Sequence, residues 1–352
     1  MLYASTVITY PILILLSTIG KKSFENLGRL VNKSGDTIYR LLHPAEVSFL
    51  QSQHIAQEIF KGKKTLYVGI DDTLIKKIYS KMMQGAGMFF DTKIGRQIMA
   101  FRLVIAVITD GKFAIPIDCA YLYAKELLDL IEDKHIRSKD DIAKASVEIA
   151  QKLFPDTNLI VVVDGLYTTV EFVKWCRGKN IKLEARMHSN RVVKYKGKSV
   201  KVRDLLKIKG IAPKGRQMAR TISVAWHEID LELTIVRRVD KNGKESIVFQ
   251  IATYKALPRE HILNYKRRWS VEMINRTTKQ ELGLQECYSR KLETQHDHVA
   301  AALLAYALAQ VEMKMYRLDK PEEAIRRCKT KNVNSLTARF SRILYEKVYA
   351  CA

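Results

Sequence analysis

The stretch LIVVVDGLYTTVEFVKWC, residues 159–176, decides the fold. Its first five residues form an unbroken β-branched and leucine run, the pattern of a strand buried on both faces. Asp164-Gly165 ends the run, and the residues beyond it have the spacing of an amphipathic helix. Working outward, TLYVGIDDT (65–73) is a second short run of β-formers ending in acids. FRLVIAVITDGKFAIPIDCAYLY (101–123) reads as two strands joined at Asp110-Gly111. A helical stretch from Lys139 to Leu153 leads into the opening segment, and IKLEARM (181–187) follows as another buried strand. Strands alternating with helices predict an α/β fold with a mixed sheet flanked by helices, and such sheets place their chemistry at the carboxyl ends of strands.

The chain of 352 residues carries 60 Lys plus Arg against 37 Asp plus Glu, a formal net charge of +23. At 47% hydrophobic content it has ample material for a core, so the charge belongs to a folded protein with a polyanionic partner, nucleic acid first. Five cysteines, Cys119, Cys176, Cys287, Cys328 and Cys351, lie far apart with no CxxC pair, which argues against a disulfide framework or a cysteine zinc site. A reducing, cytoplasmic setting fits best. The apolar segment Tyr3–Leu16 lacks a basic lead-in, contains Pro11 and is too short to span a bilayer, so it is expected to be a buried or docked helix. Residues 23–43 have helix-turn-helix spacing that would turn Lys33, Tyr39 and Arg40 outward, and an ordinary helix pair fits the same spacing.

Residues 188–257 break the α/β rhythm. They are strongly basic and carry alternating strand patterns in TISVAWHEIDLELTIVRRV and SIVFQIATY, with a turn at Asp240–Gly243. This predicts an inserted β-rich subdomain. From Pro258 onward the chain reads as helical, with VAAALLAYALAQVEMKMY apolar enough on most faces to be a core helix. The expected layout is a helical N-terminal region over 1–62, a catalytic core over 63–187 and 258–315 interrupted by the insertion 188–257, and a helical tail over 316–352.

Asp71 ends the first strand in this reading, Asp164 a later one, and Glu272 lies on a helix. Carboxylates gathered from strand ends and a helix suit Mg²⁺ or Mn²⁺, hard cations that bind oxygen and retain waters and phosphate ligands. Asp164 also fits an ordinary helix cap. Tyr265, Arg268, Glu272, Arg276 and Lys279 are spaced by three, four, four and three residues, which puts them on one face of a single helix. Such a face is either a set of exposed ion pairs or a metal-holding acid flanked by groups that grip phosphates.

Tyr265-x2-Arg268-x3-Glu272-x6-Lys279 resembles the signature of insertion-sequence DD(E) transposases of the YREK-motif group. Asp71-Asp72-Thr73 resembles that group's first acid, and Val163-Asp164-Gly165 its second. The resemblance covers about residues 65–310 and implies a ribonuclease-H-like catalytic domain with a β-rich insertion. It implies that Asp71, Asp164 and Glu272 hold two Mg²⁺ or Mn²⁺ ions, and that Tyr265, Arg268 and Lys279 contact the transposon end. The partners implied are double-stranded DNA, as terminal inverted repeats and target, and further copies of the chain in a synaptic dimer or higher assembly, with no membrane. Strand alternation sends only one of Asp71 and Asp72 into a site, and the resemblance favours Asp71, aligned by Thr73 two residues later, with Asp72 free to cap a following turn. Trp226 is the candidate for contacting a splayed base, with a core role as the alternative, and Trp269 is expected to pack the catalytic helix on the sheet. A ribonuclease-H-like nuclease or resolvase, and a non-catalytic helix-turn-helix protein, remain as other readings.

Overall fold

A computed structural model describes residues 2–17, 22–80, 82–124, 127, 138–213, 218–240 and 242–345. Cys351 lies outside them. A core sheet is built from β1 (Thr65–Lys76), β2 (Gly87–Asp91), β3 (Arg96–Thr109), β4 (Ala114–Leu122), β5 (Asn158–Val163) and β6 (Lys182–Met187). β1 pairs antiparallel with β3 on one side and parallel with β5 on the other, and β5 pairs parallel with β6. The far edge of β3 is shared by β2 and β4. Helices Lys139–Leu153 and Val170–Gly178 make the two crossovers that parallel pairing requires.

The first crossover helix begins at a capping box in which the Ser138 hydroxyl accepts from the Asp141 amide, and the second is capped by Thr169. The strand order β4-β3-β1-β5-β6, antiparallel first and parallel after, is that of a ribonuclease-H-like fold. The expected mixed α/β architecture is therefore observed.

Strands β7 (Val192–Tyr195), β8 (Lys198–Lys201), β9 (Ala219–Trp226), β10 (Ile229–Val239) and β11 (Glu245–Ala252) occupy the inserted segment. They continue the core sheet edgewise, because β11 pairs antiparallel with β6. The alternating pattern at 221–239 forms two strands folded back at His227-Glu228. Both turn residues have left-handed backbones, φ 48° and 62°, and neither is the Gly or Asn that usually marks such a turn.

Beneath the sheet runs a 24-residue helix, Leu292–Met315, apolar on all sides from Val299 to Ala309 and buried there, with the buried Glu312 beyond it paired to Arg327 and Arg339. The N-terminal helix Leu2–Leu16 packs on it and on the C-terminal helix Val333–Tyr345. Ile8 and residues 10–16 are buried, as expected for a docked helix. The Tyr10 hydroxyl meets His298 Nδ1 at 2.9 Å, and His298 Nε2 donates to the Gly283 carbonyl at 2.9 Å. The helices Phe24–Arg29 and Gly35–Tyr39 have six and five residues, each capped by a serine, with Lys33, Tyr39 and Arg40 exposed. Among the described residues no helix is long and apolar enough to cross a membrane.

Candidate active site

The parallel register of β1 with β5 ends at Ile70 opposite Val163. The next residue on each strand is an aspartate, so Asp71 and Asp164 emerge side by side at the carboxyl ends of the parallel pair, on strands about 4.8 Å apart. β1 does not end there. Its pairing with β3 continues to Lys76 opposite Ala100, so Asp71 lies mid-strand, not at the strand end that the sequence suggested. Asp164 leaves its strand and caps a single 3-10 turn, its Oδ1 accepting from the Leu166 amide at 2.7 Å. Its capping role and its position beside Asp71 thus coexist.

Strand alternation separates the two adjacent acids. Asp71 Oδ2 meets Arg268 Nη1 at 3.3 Å, while Asp72 pairs with Lys139 at 3.0 Å and Arg102 at 3.4 Å. Asp72 caps no turn, because the strand runs on past it. Burial raises the Asp71 carboxyl, the charge of Asp164 raises it further, and Arg268 pulls the other way, with the group pushed up to about 7.

The helical run over Asp71 differs from the single helix expected. It is two helices, α7 (Pro258–Lys266) and α8 (Trp269–Glu281). Between them the backbone tightens to i→i+3 bonds, with Arg267 N donating to Asn264 O and Arg268 N to Tyr265 O. The guanidinium of Arg268 then lies 5.7 Å from the Tyr265 ring centroid and pairs with both Asp71 and Glu272. Glu272 occupies the first turn of α8, where the helix dipole favours a carboxylate. Glycine at position 69 allows this approach: a Cβ there would fall 2.5 Å from Val271 Cγ2. Two turns further on, Lys279 Nζ donates to Thr73 Oγ1 at 2.5 Å and to the Leu74 carbonyl at 2.9 Å. Burial, with Lys76 and Lys93 nearby, holds its amine down to about 8.

The fold therefore gathers Asp71, Asp164, Tyr265, Arg268, Glu272 and Lys279 at one end of the β1–β5 pair. It does not gather Arg276 or Trp226. Arg276 is 52% exposed and leans to Glu322 at 4.0 Å, away from the acids. Trp226 is 1% exposed, a core side chain on β9 with Arg191 over its ring, so the indole is not presented to a base. Trp269 reverses its expected role too. It is 57% exposed and lines a cavity of about 590 Å³ with Arg186, Arg237, Lys266, Arg268 and Tyr265. Its place immediately after Arg268 was the available sequence signal, but a tryptophan there fits a packing role equally well.

Among the described residues no three His, Cys, Asp or Glu side chains stand close enough together to hold an ion, and Arg268 reaches between Asp71 and Glu272. The donor set nonetheless fits a divalent cation: the groups are hard oxygen donors, and Asp71 and Asp164 form a like-charged pair that a cation relieves.

A ribonuclease-H-like sheet on a chain with a net charge of +23 defines a class by architecture and by its affinity for polyanions such as nucleic acid. The family model for the transposase DDE domain matches residues 95–308, well over half of the chain, and the chain belongs to that family of transposases. Asp164, Tyr265, Arg268, Glu272 and Lys279 fall inside the matched span, and Asp71 precedes it. Comparison with curated proteins gives no match.

Proposed function

We propose that this transposase binds the terminal inverted repeats of a mobile element and catalyses strand cleavage and strand transfer, as a member of the YREK-motif group. Asp71, Asp164 and Glu272 are its metal ligands in this reading. The observation that carries it is the register that sets Asp71 beside Asp164, with Glu272 joined to Asp71 through Arg268. Two Mg²⁺ or Mn²⁺ ions, when bound, supply activation of the attacking oxygen and stabilisation of the leaving one.

The chain's own groups do the rest. Arg268 is a planar fork whose present partners are carboxylates, and a DNA phosphate offers the same bidentate geometry. Lys279, close to Lys76 and Lys93, adds a second cationic contact along the strand, and Tyr265 supports the Arg268 fork from below. Trp269 offers the exposed aromatic face for a splayed base that the buried Trp226 lacks. The strands of residues 188–257 and the N-terminal helices supply phosphate-directed, salt-dependent affinity. The domain layout read from sequence is part of this proposal, as is assembly of two or more copies on DNA with the protein at the nucleoid.

The test is a labelled terminal-repeat duplex with a target plasmid and Mg²⁺ or Mn²⁺, comparing wild type with Glu272→Gln. Joined product from wild type alone is expected. Cleavage without joining would indicate a nuclease, and undiminished activity in Glu272→Gln would remove Glu272 from the site.

A further inference from the structure

Behind the proposed site lies a buried polar chain that none of the motifs absorbs. Glu184 on β6 is fully buried, and its Oε1 accepts from the Tyr254 hydroxyl at 2.6 Å and from His261 Nδ1 at 2.6 Å. The Asn264 amide donates to the Tyr254 hydroxyl at 2.9 Å, and the Tyr67 hydroxyl donates to Asn264 Oδ1 at 2.8 Å. Every donor in this chain points toward the Glu184 carboxylate, so each bond polarises the next. The chain links β6, the segment after β11, α7 and β1, the strand that carries Asp71.

Such a network is a poor device for stability alone. Among the described residues Glu184 Oε2 and His261 Nε2 have no hydrogen-bond partner, and apolar side chains of the same volume would pack α7 on the sheet at no such cost. What the network supplies is direction. An apolar contact tolerates a helix that slides or rotates by a fraction of a turn, whereas hydrogen bonds to fixed strand positions do not. His261 and Asn264 are the α7 residues so fixed, and Tyr265 and Arg268 follow at the next position and one turn further along the same chain.

We propose that Glu184 is a positioning residue for the transposase reaction: through His261, Tyr254, Asn264 and Tyr67 it fixes α7 over the sheet, and hence the point where Tyr265 and Arg268 meet the acids. This rests on the site assignment proposed above. Its corollary is that the network can be weakened with fold and DNA affinity kept while the chemical step slows, since a misplacement of about 1 Å at reacting groups costs on the order of a hundredfold in rate.

The experiment measures melting temperature, affinity for a terminal-repeat duplex and single-turnover cleavage rate for Glu184→Gln, Tyr67→Phe, Glu184→Leu with His261→Phe, and Glu272→Gln. Expected for Glu184→Gln and the apolar pair are a duplex Kd within about threefold of wild type and a rate reduced at least tenfold. Tyr67→Phe, which removes one hydroxyl at the far end of the chain and keeps the ring, is expected to lower the rate severalfold with an unchanged melting temperature. A rate that falls only in step with the folded fraction, or a full rate in Tyr67→Phe and Glu184→Gln, overturns the inference even if the apolar pair fails to fold. If Glu272→Gln is dead while the Glu184 and Tyr67 variants keep full rate, the positioning role alone is wrong. If Glu272→Gln is active, the site assignment falls first and this inference with it.

Discussion

Replacing Gly69 with alanine tests the geometry on which the site depends. Gly69 has no need of a positive φ, and its role is clearance between β1 and α8. An added Cβ would lie 2.5 Å from Val271 Cγ2, about 1 Å inside ordinary carbon–carbon contact. Val271 is fully buried, and as a β-branched residue in a helix it has one strongly preferred rotamer, so it has nowhere to swing. The strain must appear as a displacement of α8 of roughly 1 Å, at a cost of about 1–3 kcal/mol for overpacking. Glu272 follows Val271 and Asp71 lies two residues after Gly69, so the same displacement separates the acids directly. The expected result for Gly69→Ala is a melting temperature lower by several degrees and single-turnover cleavage slowed about a hundredfold. Adding Val271→Ala removes the clashing methyl and is expected to restore most of the rate without restoring the stability, since that variant opens its own cavity. Wild-type rate and melting in Gly69→Ala, or no recovery in the double variant, would refute the reasoning.

Three further outcomes follow from the same structure. Trp269→Ala is expected to change stability by less than about 0.5 kcal/mol while weakening binding of the DNA end by about 1–3 kcal/mol. Trp226→Ala is expected to lose about 3–5 kcal/mol of stability, read by denaturant unfolding, because it empties a core site. Lys279→Met removes a buried charge that burial, Lys76 and Lys93 disfavour, so near neutral pH the variant is expected to melt higher than wild type yet join ends poorly. Burial pushes His298 down to about 4 from an ordinary value of 6.5, so the folded form resists protonation. Its contribution is complete above pH 6.5 and is lost as the pH falls through 4, amounting to about 3 kcal/mol in all. A His298→Phe variant is expected to flatten this part of the pH–stability curve, and an unchanged acid limb would disprove the assignment.

How much of this was legible in sequence varies from residue to residue for physical reasons. The run at 159–163 could be recognised because a strand buried on both faces must be apolar throughout, and the helical stretch at 139–153 because helical spacing is a local signal. Asp164 and Glu272 were legible as an acid after a buried strand and an acid among spaced cations. The turn at His227-Glu228 was not, since its left-handed residues carry no glycine and tertiary pairing of β9 with β10 overrides local preference. Likewise, the tightening at Arg267 and Arg268 that divides the helical run in two carries no Gly or Pro to signal it. The two tryptophans show the limit most clearly, for an indole's sequence neighbours are silent about which side of a sheet or helix is covered.

By itself, then, the sequence determined the mixed α/β class, the basic partner-seeking character and the acids in their order, because patterning and charge act along the chain. Only the tertiary structure decided that Asp71 and not Asp72 faces α8, that Trp269 is exposed and Trp226 buried, and that Glu184 anchors α7. Each of these depends on which strands and helices meet across more than a hundred residues, and that is settled by packing and register, not by neighbours in sequence.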